Sequence, residues 1–185
     1  MLLIFVLTGA TEISRKIKEN RFATTSEKLI YKGPFLKNDF VGFKEAVAFK
    51  ESQGSYTVVN TLGYLGKYQF GESTLKRLRI YDTEEFLNNP ELQEQAFRTY
   101  CSLNKWILRK DIKRSVGKII NGIEITESGI LAAAHLSGAG NVKKFLRSNG
   151  VQRFGDAYGT TISHYMEDFA DFDVSDILAI RNAKI

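Results

Sequence analysis

The sequence predicts a mostly helical α+β domain, and three observations carry that expectation. Of the 185 residues, 43% are hydrophobic, enough apolar material for one core. Several stretches repeat apolar residues at helical spacing behind an N-capping side chain. A stretch rich in Gly, Tyr and Val from Ser55 to Phe70, and an Asn-Gly turn further on, supply a small β element. With 13 Phe and 8 Tyr against 2 Pro, the chain suits compact folding and leaves little for a Pro-rich linker; it holds no internal repeat and no low-complexity tract.

Residues 11–37 are polar and weakly periodic, an expected extension, so that organised structure begins near residue 38. Asn38 or Asp39 caps a helix carrying Phe40, Phe43 and Val47 on one face, with Gly54 just past its expected end. Glu51 then falls in the last turn, where the helix macrodipole disfavours a carboxylate; that placement suits a raised pKa or a role other than stability. Short strands and turns are expected from Ser55 to Phe70, because Gly63 and Gly66 break any helix. Glu72 to Ile80 reads as helical. Asn89-Pro90 starts a long helix with Leu92, Ala96, Tyr100, Leu103 and Ile107 on one face. A hairpin with a type I′ turn at Asn121-Gly122 joins Lys118–Ile120 to Ile123–Ile125. Thr126 caps a helix that runs through Leu136 and ends at Gly138 and Gly140; Val142, Phe145 and Leu146 mark another, stopped at Gly150, and Ile162, Tyr165, Met166 and Phe169 mark the last. The expected domain is 38–170, with a tail from 171 to 185.

A formal charge of +5 and a pI near 9.2 favour approach to polyanions without choosing among nucleic acid, anionic lipid and acidic wall polymers. The basic residues are spread along the chain, and the mild cluster Arg109, Lys110, Lys113, Arg114 and Lys118 reads as a solvated helix end, so no nucleic-acid partner is expected. The single cysteine, Cys101, excludes an internal disulfide and a Cys-rich zinc site, and its amphipathic run makes it a small core side chain. Leu2–Leu7 is an apolar run too short to cross a bilayer, and Thr8-Gly9-Ala10 resembles the small-residue end of a signal peptide, though no Lys or Arg precedes the run. Export is the reading adopted, with the mature chain starting after about Ala10.

Several residues are candidates for chemistry. Glu51 follows an apolar helix face and precedes a loop in which Tyr56, Tyr64 and Tyr68 can form an aromatic wall of the kind that binds sugars. Both histidines are far from any HExxH spacing, so His135 reads as packed or hydrogen-bonded rather than metal-bound. Gly63-Tyr64-Leu65-Gly66 is no phosphate loop, since no Gly-Lys-Ser/Thr closes it. Trp106 fits either the core or a groove wall. No metal and no cofactor are expected.

Glu51-Ser52, followed by Gly63, Gly66, Tyr68 and Gln69, resembles the signature of the lysozyme-like lytic transglycosylases, a family related to goose-type lysozyme: Glu-Ser, a glycine-containing turn, and a hydrophobic-Gln pair. At a fitting distance, Ala133-Ala134-His135-Leu136-Ser137-Gly138-Ala139-Gly140 looks like the family's Ala-Tyr-Asn-Ala-Gly-Pro-Gly segment, and Tyr165 falls where the family has a tyrosine in its last helix. Together these span about residues 39–170. Departures mark a divergent branch: His135 stands for the usual Tyr, Leu136 for a substrate-holding Asn, Ala139 for Pro, Asn60 for a common Ser, and Gly-Lys-Tyr-Gln-Phe for a Gly-Leu-Met-Gln run.

The resemblance implies a lysozyme-like domain with a small β element after the catalytic helix. It implies cleavage of the MurNAc-GlcNAc β-1,4 bond of peptidoglycan by Glu51 as acid and then base, with a carboxyl held protonated towards ~6 by aromatic burial, as in lysozyme. Ser52, Tyr56, Asn60, Tyr64, Tyr68, Gln69, His135 and Tyr165 become substrate-binding candidates. The sugar's own 6-hydroxyl would displace the leaving group, giving a 1,6-anhydro end; a hydrolytic muramidase would need a second carboxylate, for which Glu72 and Asp82 are nearest but read as surface residues. The expected setting is the cell envelope or periplasm, or secretion, as a monomer without an integral membrane span. Alternatives are a glycan-binding protein of this fold with weak catalysis in an envelope machine, and an unrelated basic, helical interaction module.

Overall fold

The computed structural model describes residues 37–155 and 159–185. The leader and extension expected before residue 37 lie outside the described residues, as does the expected processing point after Ala10. The described chain is mainly helical with one small antiparallel sheet: α1 (Phe40–Ser52), α2 (Glu72–Arg77), α3 (Thr83–Asn88), α4 (Pro90–Ser115), β1 (Ile119–Ile120), β2 (Ile123–Glu124), α5 (Glu127–Arg147) and α6 (Ile162–Asp168). None of these helices is long and apolar enough to cross a membrane.

Every described helix except α2, which starts at Gly71 without a side-chain cap, begins where a short polar side chain satisfies free backbone donors. Asp39, not Asn38, caps α1 by accepting from Gly42 N at 3.0 Å; Asp82, Asn89, Thr126 and Thr161 do the same for α3, α4, α5 and α6. At its other end α1 closes with Gln53 in the left-handed conformation, its N–H returning to Ala48 O and Phe49 O. Helix α3 was not expected from the sequence; its six residues are too few for a periodic pattern, and only the Asp82 cap announces it.

Three expectations change. Ser55–Phe70 forms isolated bridges (Val59 with Leu65, Leu65 with Phe70) in place of short strands, while regular pairing is confined to the hairpin, where Ile120 faces Ile123 across Asn121 (φ 53°) and Gly122 (φ 82°). The two helices expected either side of Gly138 join into α5, which bends at that glycine (φ 78°, ψ 151°) and continues to Arg147. Residues 171–185 do not trail from the domain: Val174 and Ile177 are buried, Phe172 meets Phe43 edge-on, and Ile180 N and Ile185 N donate to Ser102 O and Leu78 O.

The core gathers around α4 and α5. Phe40 and Phe43 of α1 lie against Phe97 of α4 with ring centroids 6.3 and 6.0 Å apart, and the buried run Ile130–Ala134 of α5 lets helices approach closely. Cys101 sits in this core as expected, and burial pushes its thiol up to about 12, which keeps it inert. Leu92, Tyr100 and Ile107, read as part of the apolar face of α4, are half-buried flanks; the deepest stripe runs through Gln93, Phe97, Cys101, Asn104, Leu108, Asp111 and Ser115. Four of these are polar, and tertiary partners explain two of them. Gln93 meets the loop that crosses α4, accepting from Lys67 N. Asp111, 1% exposed, accepts from Arg147 Nε at 2.9 Å and Nη2 at 3.2 Å, and from Arg114, so that it ties the C-terminal ends of α4 and α5.

Burial alone would raise the Asp111 pKa, but the hydrogen bonds from Arg147 and Arg114 outweigh it and hold the carboxyl below its ordinary range. A lowered carboxyl pKa adds stability that is complete above the unfolded value and is lost as pH falls through the folded one. Asp111→Asn should therefore cost about 1–2 kcal/mol at neutral pH, the arginine heads lying largely in water, and should cost less as pH drops below about 4. Urea denaturation of both proteins at pH 7 and pH 3 measures this; an unchanged difference at the two values would refute it.

Candidate functional site

Glu51 ends α1 beside a groove made of two adjoining cavities. The first, about 260 Å³, is lined by Glu51, Asn60, Leu62, Tyr64, Gln69, His135, Leu136, Ser137, Asn141 and Gly155. The second, about 590 Å³, shares Leu62, Tyr64, Gln69, His135, Leu136 and Ser137 with it and extends past Phe70, Gly71 and Tyr100 to Glu72 and Thr74. Among the described residues lining the first cavity, Glu51 is the sole carboxylic acid. Asp82, one of the two rivals for a second carboxylate, caps α3, and Glu72 pairs with Lys76 at the far end.

Two contacts fix Glu51 against α6. The buried Tyr165 hydroxyl donates to Glu51 Oε1 at 2.6 Å, and the neighbouring Lys50 pairs with Asp168 at 2.7 Å while lying 5.1 Å from the Tyr165 ring centroid. One carboxyl oxygen is thus engaged from behind.

Asn60, Tyr64, Gln69 and His135 meet Glu51 on this groove, and Tyr165 reaches it by the hydrogen bond. Asn60 also builds the wall it belongs to, its Oδ1 accepting from Leu62 N at 2.9 Å and Tyr64 N at 3.0 Å. Gln69 is held at φ 49°, a left-handed conformation that costs a side-chain-bearing residue, and its Nε2 donates to Gly66 O at 2.8 Å while the residue lines both cavities. His135 lies among Phe70, Phe97 and Tyr100. Its Nε2 is 2.7 Å from Tyr68 O, which can only accept, so Nε2 carries the proton; Nδ1 is buried without a hydrogen-bond partner among the described residues.

Three expected substrate contacts are corrected. Tyr68 is 0% exposed, stacked 4.2 Å from Phe97 with its hydroxyl on Glu94 Oε2, and cannot touch a ligand. Tyr56 lines neither cavity; its hydroxyl donates to Glu94 Oε1 at 2.8 Å and receives Lys67 Nζ at 3.2 Å. Ser52 turns inward, its hydroxyl donating to Lys67 O at 2.8 Å to brace the loop against α1. Alternation in an irregular loop does not say which tyrosines face out, and here the ion pair beneath the loop decides it.

Comparison of the chain with protein-family models, with curated proteins and with solved structures finds no match.

The residues that hold the cleft wall escaped the sequence reading. Gln93, fully buried on α4, accepts from Lys67 N at 2.8 Å and donates from Nε2 to Tyr56 O and Phe86 O at 2.9 Å. Gly66 (φ 71°) allows this approach, since a Cβ there would come within 2.2 Å of Gln93 Oε1. Lys67, 4% exposed, pairs with Glu45 at 2.8 Å and Glu94 at 2.7 Å, and Lys44 also reaches Glu94. Neither the glutamine nor the lysine carried a signal in the sequence, because which side of α4 is innermost is set by its tertiary partners.

Burial alone would raise the Glu94 pKa, but Lys44, Lys67, Tyr56 and Tyr68 all donate to it and bring it from 4.5 to about 2. Its share of stability is complete above the unfolded value, ~4.3, and is lost as pH falls towards 2. Lys67→Met leaves Glu45 and Glu94 without their shared cation and should destabilise the protein by about 3 kcal/mol. It should also flatten the loss of stability between pH 4 and pH 2, because Glu94 would then titrate nearer its unfolded value. Denaturation curves across that window decide it; a wild-type slope in the variant would remove Lys67 from this role.

Proposed function

We propose that this protein is a glycan-cleaving enzyme of the bacterial wall with a lysozyme-like domain, acting on the MurNAc-GlcNAc β-1,4 bond with Glu51 as general acid and then base. The observation that carries the reading is Glu51 itself: the sole carboxyl among the described residues that line its cavity, backed by the Tyr165 hydroxyl and flanked by polar amides and an aromatic ring. The motif resemblance supports it independently, since Glu51, Gln69, His135 and Tyr165 come from distant parts of the chain and gather at one place.

With Oε1 accepting from Tyr165, the acid proton belongs on Oε2. Glu51 gives this proton to the departing glycosidic oxygen as the bond to C1 breaks. The resulting carboxylate takes the proton of the C6 hydroxyl while that oxygen bonds to C1, closing a 1,6-anhydro ring and restoring the acid. Positive charge developing at C1 lies beside the newly formed carboxylate, and no second carboxylate is needed. Tyr64 offers an exposed ring for a sugar face, and Asn60 and Gln69 offer amides for hydroxyl and acetamido groups. Such a substrate places the working enzyme in the envelope or outside the cell.

Leu136 favours a second reading. It lines both cavities as an apolar residue where the resemblance has a substrate-holding Asn, which suits a protein that holds glycan strands and cleaves them slowly.

Glu51→Gln should lower peptidoglycan lysis by ~10²- to 10⁴-fold, because the amide cannot donate the required proton. Its melting temperature should match wild type, since Gln has the shape of Glu and its Oε1 still accepts from Tyr165. Zymography and turbidity assays read the activity, and mass spectrometry of the muropeptides should find 1,6-anhydro ends. Near-full lysis by the variant would sink the assignment, whereas glycan pulldown without lysis by wild type would favour the binding protein.

Tyr165→Phe should lower turnover by about ten- to a hundredfold while leaving glycan affinity nearly unchanged, because a hydrogen bond to a charged group contributes about 1.5–3 kcal/mol. Separate measurement of turnover and of glycan affinity tests this; a loss confined to affinity would assign Tyr165 to substrate binding.

A further inference from the structure

A second pocket, which shares no lining residue with the Glu51 groove, carries a concentration of positive charge. It has a volume of about 360 Å³, and Arg77, Arg79, Arg181 and Lys184 line it over the buried Leu103. The cations come from three parts of the chain: the last residue of α2, the turn after it, and the C-terminal segment. No carboxylate side chain is among its lining residues, and none of the four cations forms an ion pair among the described residues. Like charges that converge without counter-charge repel one another, an arrangement that an anion relieves.

The pocket is built rather than incidental. Its C-terminal wall is pinned at both ends, by Ile180 N to Ser102 O at 3.1 Å and Ile185 N to Leu78 O at 3.0 Å. Arg181 is further steadied over the Trp106 ring, 5.4 Å from its centroid, with Arg109 4.0 Å from the same centroid. Trp106 is therefore neither core nor groove wall but a platform for arginines. Arg79 adopts φ 70°, the left-handed region that glycine or asparagine enters far more readily. It does so as the residue that closes α2, its N–H returning to Lys76 O and Ile80 N to Leu75 O, which fixes the Arg79 backbone at the pocket rim.

We propose that this pocket binds a phosphate-bearing anion, with Arg77, Arg79, Arg181 and Lys184 as its ligands. Three guanidinium forks match the oxygen geometry of phosphate, and four positive charges call for a multiply charged anion in preference to a lone carboxylate. The phosphate can belong to a soluble anion or to a lipid headgroup; the chemistry of capture is the same.

The test is calorimetric titration of the full chain with inorganic pyrophosphate at fixed low salt, together with sedimentation with phosphatidylglycerol vesicles and phosphatidylcholine controls. Arg79→Gly should weaken pyrophosphate binding at least tenfold while the melting temperature stays level or rises, because glycine relieves the positive φ. Arg181→Ala should weaken it similarly, and Lys113→Ala, which removes an exposed charge from α4, should not. Binding to anionic vesicles that the same two variants lose identifies a headgroup; pyrophosphate binding without vesicle binding identifies a soluble anion. Failure of wild type to bind either probe, undiminished binding by Arg79→Gly and Arg181→Ala, or an equal loss with Lys113→Ala would overturn the proposal.

Discussion

Gln93 fastens a loop that has almost no ladder of its own to α4, the longest of the described helices. Its buried amide uses both ends at once, accepting from Lys67 N and donating to Tyr56 O and Phe86 O. Between Ser55 and Phe70 the backbone makes isolated bridges and turns but no described strand, so several of its polar groups need partners elsewhere once they leave water. Beside this amide, the Lys67 ammonium lies between Glu45 of α1 and Glu94 of α4, so the loop is held to both helices. Burying an ion pair yields little net stability, but it fixes one arrangement against others because any shift leaves a charge without a partner. What that arrangement fixes here is the wall of the groove, since Tyr64 and Gln69 stand on either side of Lys67 in sequence.

The same logic runs down α4. Gln93 at its start and Asp111 near its end replace apolar residues on the deepest stripe, and each meets a tertiary partner, the loop for the first and Arg147 for the second. A purely apolar stripe would pack as well but would leave the helix freer to rotate or slide against α5; a directional hydrogen bond removes that freedom. Glu51 gains from this rigidity. Its helix is set against Phe97 by Phe40 and Phe43, and its last turn is tied to α6 by Lys50 and Tyr165, so the carboxyl is held from both directions. Under the proposed function such placement matters, since small displacements cost much of the advantage of proximity.

Much of the frame was legible in the residues. Asp39, Asn89 and Thr126 cap helices as short polar side chains do, and the Asn121-Gly122 turn forms the two-residue hairpin that its positive φ angles allow. These features depend on neighbours in sequence, and so does the placement of Glu51 in the final turn of α1. The groove residues Tyr64, Gln69 and His135 were nominated through a motif, and the fold brings them to one place. Tyr56, Tyr68 and Ser52 were nominated on the same grounds and face elsewhere, because Glu94 and Lys67, distant in sequence, draw the two phenols and the loop carbonyl inward.

By itself, then, the sequence determined the helical character, the capping residues, the hairpin turn and the position of one acid at a helix end, since each follows from interactions within a few residues. Only the tertiary structure decided which side of α4 is innermost, which tyrosines see solvent, that residues 171–185 close over the core, and that Arg77 and Arg79 meet Arg181 and Lys184. Those outcomes rest on pairings between charges and amides far apart in the chain. Their strength depends on burial and distance, which exist only once the chain has folded.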